Sequence, residues 1–107
     1  MDLTILLHFV ANFFAGAFLC NCIPHLAAGL RGELFPSPFA SPPGKGDSAP
    51  WVNVLWGTFN LIVAFLLIAY ARIPLGVYTQ GVLFILGFLL MGLHLAVHFG
   101  AVRNGKR

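Results

Sequence analysis

The sequence predicts an all-α integral membrane protein with three transmembrane helices, and three observations carry that prediction. Of 107 residues, 59% are hydrophobic and only 8% are charged, whereas a soluble domain averages about 25% charged. Mean hydropathy is +0.89. The apolar residues fall into three long runs, about 3–23, 51–70 and 74–102, and none of the three contains Asp, Glu, Lys or Arg. Each run reaches the ~20 residues that cross ~30 Å of hydrocarbon at ~1.5 Å per residue. Backbone polar groups in hydrocarbon must pair within their own element, so continuous apolar runs are helices, and the lack of alternation excludes a β-barrel. The same composition excludes a soluble globule and a disordered chain, and two cysteines are too few for a disulfide scaffold.

The first run begins beside Asp2, without the basic segment of a signal peptide, and Pro24-His25 makes a poor cleavage site. A retained helix is expected, ending at Pro24 or slightly beyond. Residues 31–50 then form a connection holding Pro36, Pro38, Pro42, Pro43 and Pro50, which a helix would not tolerate. Leu34, Phe35 and Phe39 make it too apolar for a free linker. Residues 34–40 are expected at the head-group layer or folded back on the bundle, with Lys45-Gly46-Asp47 as the solvated tip. Ser48 is the expected N-cap of the second helix. The short stretch 71–74 predicts an antiparallel hairpin of the second and third helices.

Orientation follows from charge. Arg31, Lys45, Arg103, Lys106 and Arg107 fall in the first connection and the tail, and only Arg72 falls on the other side. The positive-inside rule then places the N-terminus outside, with the Pro-rich connection and the C-terminus in the cytoplasm. The expected location is a multi-pass membrane position, the inner membrane if the source is bacterial. A pI near 9.3 reports this asymmetry and contact with anionic lipid, and nucleic-acid binding is not expected.

Each run carries one stripe of polar and small residues at helical spacing, expected to face protein because polar groups in hydrocarbon are costly. The first has His8, Asn12, Gly16 and Cys20; the second Asn53, Gly57, Asn60 and Ala64; the third Gln80, Phe84, Gly87, Met91, His94 and His98. His8, Asn12, Asn60 and Gln80 are the expected packing residues. Asn12 and Asn60 each lie nine residues from opposite ends of their runs, which predicts an amide pair near the midplane.

His25, Asn53, His94 and His98 collect at the cytoplasmic end beneath residues 35–49 and form the candidate binding cluster. A spacing of four puts His94 and His98 on one helix face, which serves a metal ion or haem sites. The competing reading has these histidines hydrogen-bonding within the bundle and to the carbonyls of the connection. Cys20, Cys22 and His25 add ligands suited to zinc or copper(I), but cysteines two apart on a helix diverge by about 200°, so the helix would have to unwind. Residues 43–48 lack the phosphate-loop spacing and a preceding strand. With only Asp2, Glu33 and Asp47 as acids, carboxylate-pair catalysis is not expected. Trp51, Trp56, Tyr70 and Tyr78 read as interfacial anchors, although Trp56 is also within reach of the cluster.

Three functions remain open on these residues. The first is a non-enzymatic assembly or accessory subunit, packing with its own copies or a larger membrane complex and needing no cofactor. The second is a homo-oligomeric channel or carrier lined by His8, Asn12, Asn60 and Gln80. The third is a metal- or haem-binding redox subunit using His25, His94 and His98.

Overall fold

The computed structural model describes residues 2–71 and 77–105. It is mostly helical: α1 spans Leu3–Leu30, α2 Pro50–Tyr70 and α3 Val77–Arg103, and all three are long and apolar enough to cross a membrane. The connection 71–74 lies largely outside the described residues, as do Arg72, Lys106 and Arg107.

Asp2 caps α1, its carboxylate accepting from the Thr4 amide at 2.9 Å. The helix does not stop at Pro24 but continues through it to Leu30. Proline removes one donor and frees one carbonyl, a loss that apolar helices tolerate when neighbouring elements hold them. Here the segment beyond Pro24 is held by α2: a Cβ on Gly29 would sit 2.7 Å from the Pro50 carbonyl oxygen and 2.9 Å from the Val54 amide nitrogen. The stop comes at Gly32, whose φ of +70° reverses the chain while the Glu33 amide returns to the Ala28 carbonyl at 2.9 Å.

Two antiparallel two-residue strands, β1 (Phe35–Pro36) and β2 (Asp47–Ser48), pinch the base of the α1–α2 connection, pairing Phe35 with Ser48 and Pro36 with Asp47. Ala49 takes the N-cap position of α2 with no side-chain bond, and Pro50 opens the helix, its missing N–H costing nothing there. Ser48 does not cap α2. Its hydroxyl pairs with Ser37 Oγ at 2.6 Å inside the connection.

α1 is the central helix. α2 packs antiparallel on it and α3 parallel to it, and no comparable packing joins α2 to α3 among the described residues. The α1–α3 crossing is set by Gly16 and Gly87. A Cβ on either would collide with a backbone carbonyl of the other helix, that of Phe84 for Gly16 and that of Phe13 for Gly87. Such close approach is how small residues join helices where no hydrophobic force separates lipid from protein. The expected hairpin turn at 71–74 falls largely on residues outside those described; within the described residues, the glycine faces direct both α2 and α3 onto α1.

The polar stripes mark this packing closely on two helices. Asn53, Gly57, Asn60 and Ala64 are the buried residues of α2, and His8, Asn12, Gly16 and Cys20 are all buried on α1. On α3 only Gly87 of the stripe is buried, and His94 is exposed.

Candidate functional site

The site forms where the end of α1, the start of α2, the connection and the last turns of α3 meet. Asn53, fully buried, is its hub. Its amide nitrogen donates to the Phe35 carbonyl at 2.9 Å, with the Ala49 and Ser48 carbonyls at 3.3 and 3.4 Å. That set of acceptors fixes which end of the amide is nitrogen. Asn53 Oδ1 therefore accepts, and His25 Nδ1 donates to it at 2.8 Å. With its proton on Nδ1, the neutral imidazole keeps a lone pair on Nε2.

His25 is 2% exposed and boxed by aromatic edges. The rings of Phe35, Trp56 and Phe99 stand at 5.5, 6.3 and 6.1 Å between centroids, each close to perpendicular to it. Phe35 in turn lies 4.7 Å from Phe99. One aromatic ring of the connection, Phe35, thus docks against α1 and α3 together, while Leu34 and Phe39 stay largely exposed.

His98 anchors the far side of the connection, its Nε2 donating to the Gly44 carbonyl at 2.7 Å. Ser37 holds the middle through Ser48 and through the Phe39 amide, which donates to Ser37 Oγ at 3.1 Å. Asn53 and His98 therefore satisfy carbonyls of the roof above them, while His25 bonds the Asn53 side chain. Of the histidines, only His98 takes the role of bonding a carbonyl of the connection among the described residues.

His94 does not join the cluster. Since α3 runs parallel to α1, with Phe99 facing His25 and Gly92 against Cys20, His94 lies about one turn further from the roof. Its ring stacks on His98 at 6.3 Å and is otherwise exposed. The expected grouping of His94 with His25, Asn53 and His98 beneath the connection fails because α1 runs past Pro24 to Leu30, which sets His25 against Phe99.

The same extension redirects the amide pair. Asn21, nine residues from the end of α1, is level with Asn60, ten residues into α2, and donates to Asn60 Oδ1 at 2.9 Å. Asn60 donates to the Trp56 carbonyl at 2.8 Å, and Asn12 donates back to the His8 carbonyl at 3.3 Å. Asn12 and Asn60 therefore do not pair. His8 stacks on Tyr70 at 4.5 Å and bonds the Thr4 carbonyl at 2.6 Å, while Gln80 donates to the Ala71 carbonyl at 3.2 Å.

Cys20 and Cys22 are both buried free thiols, and the Cys20 sulfur lies toward Gly92 of α3. His25 is committed to Asn53 on the α2 side. Among the described residues no three His, Cys, Asp or Glu side chains converge as a metal site. Glu33 and Asp47 are exposed. Glu33 pairs with Arg31 at 2.6 Å, and the hydrogen bond and charge of Arg31 hold its carboxyl below the usual carboxylate range.

Trp56 contributes the one anomaly. Its indole Nε1 is buried and has no hydrogen-bond partner among the described residues, which costs about 1–3 kcal/mol if the donor stays unsatisfied. A small cavity of about 140 Å³ lies here, with Asn21, His25, Trp56 and His98 in its wall. The sequence placed Trp56 within reach of the cluster, but an indole near a helix end reads equally well as an interfacial anchor. Comparison of the chain with protein-family profiles, curated proteins and solved structures returns no match.

Proposed function

We propose that the chain is a three-span membrane protein, N-terminus outside and C-terminus cytoplasmic, that works as a non-enzymatic assembly or accessory subunit. It packs through α3 with its own copies or with a larger membrane complex. The carrying observation is the uneven burial of the helices: 39% of the apolar window of α1 is buried, against 6% of that of α3. α3 is also the helix that leaves an imidazole, His94, on its outer face. A polar side chain at membrane depth normally faces protein, so the outer face of α3 is suited to a helix from another chain. The cluster supports the reading from the other side, since Asn53 and His98 spend their hydrogen bonds on holding the roof.

A photo-crosslinking residue at Val97, which is exposed beside His94, tests this in native membranes. Adducts at twice the chain mass, or with one distinct larger protein, are expected. Adducts with lipid alone, together with a monomeric particle in mild detergent, would overturn the proposal. The orientation is tested by Lys45→Cys, which should label from the cytoplasmic side only.

A further inference from the structure

We propose that the chain binds a neutral, hydroxyl-bearing amphiphile, with its head group in the cavity under the α1–α2 connection and its hydrocarbon chain along an aromatic groove on α2. This goes beyond the subunit role and does not depend on it. The cavity, about 140 Å³, is lined by Asn21, His25, Ser37, Trp56, His98 and Phe99 among others. Two of these groups offer hydrogen-bonding capacity of opposite kind. Trp56 Nε1–H is a buried donor without a partner among the described residues. His25, whose Nδ1 proton is committed to Asn53, carries an acceptor lone pair at Nε2. The two rings stand 6.3 Å apart between centroids. A hydroxyl group both accepts and donates, so one or two hydroxyls satisfy the pair.

Charge and size narrow the class. No Asp, Glu, Lys or Arg lines the cavity, so nothing there neutralises a carboxylate or a phosphate. At about 30 Å³ per water, its volume suits a head of a few heavy atoms, such as a glyceryl group. Trp56 also forms a wall of a second, larger groove of about 510 Å³, lined by Phe39, Trp51, Val52, Leu55 and Phe59. Apart from the indole N–H groups its side chains are apolar, and it is of the kind that receives an alkyl chain. The small cavity, with the unpaired indole donor in its wall, and the apolar groove share Trp56, an arrangement that suits an amphiphile with a small polar head.

The indole proton reports its own hydrogen bonding. Trp51→Phe leaves Trp56 as the single tryptophan of the two and keeps an aromatic ring in the groove. This variant, ¹⁵N-labelled in dodecylphosphocholine micelles, is titrated with monoolein, with oleate and with hexadecane while the Nε1–H resonance is followed. Monoolein should move it downfield and saturate, and the other two should not. In otherwise unaltered protein, Trp56→Phe should retain monoolein about fivefold less well, the worth of one neutral hydrogen bond, as counted by mass spectrometry after purification. Absence of a saturable shift would overturn the proposal. So would an equal shift with hexadecane, which marks an apolar groove only. So would an indole proton in cross-relaxation with water and indifferent to monoolein, which marks a hydration site.

Discussion

Replacing Asn53 by Val removes the hub of the site while nearly keeping its volume. The His25 Nδ1–H and the Phe35 carbonyl, now 2.8 and 2.9 Å from Asn53, both lose their partner. Each buried group left unsatisfied costs about 1–3 kcal/mol, so docking of the connection weakens by about 2–6 kcal/mol. Since 1.4 kcal/mol is a factor of ten, the undocked population rises at least about 30-fold. Hydrogen exchange reads this directly, because the Gly44 and Gly46 amides are bonded within the connection, to the Ser37 and Pro42 carbonyls at 2.8 and 2.9 Å. Exchange across residues 34–49 should accelerate by that factor while the middle of α2 stays protected. His98→Ala is the scale marker. It removes the bond to the Gly44 carbonyl, which water can replace at a half-exposed turn, so its effect should be about fivefold. If Asn53→Val leaves exchange of the connection unchanged, or if His98→Ala has the larger effect, the hub assignment is wrong.

Three further outcomes follow from the packing. Gly87→Ala should destabilise the α1–α3 pair by about 1–3 kcal/mol, because its methyl meets the Phe13 backbone. Gly81→Ala, with open space around it, should be neutral or slightly stabilising, and denaturant titration in detergent compares the two. Asn21→Leu and Asn60→Leu should each weaken α1–α2 association modestly, by about 1 kcal/mol, and less than additively when combined, whereas Asn12→Leu should be additive with Asn60→Leu in the same double-mutant cycle. Arg31→Gln should return the Glu33 carboxyl upward to the ordinary carboxylate range, as followed by ¹³C titration. Because the pair depresses the Glu33 pKa, its contribution is present above the ordinary value and lost as pH falls through the depressed one. Both groups are exposed, so thermal stability should barely change.

The composition and the runs alone determined that three helices exist, about where they lie, and which faces of α1 and α2 are buried. The physical reason is local: a polar or small residue every third or fourth position in an apolar run marks the face that lipid does not touch. Asn53 and His25 were legible as members of one cluster because both sit near the same connection. Tertiary structure decided what local rules leave open. Pro24 costs a single backbone hydrogen bond, and only the seat of Gly29 on Pro50 and Val54 shows that the helix survives it. Those extra turns move Asn21, rather than Asn12, to the level of Asn60, and set Phe99 and His98, rather than His94, beside the roof. The central place of α1 depends on Gly16 and Gly87 meeting backbone to backbone, a long-range coincidence of two surfaces that no single run of residues contains.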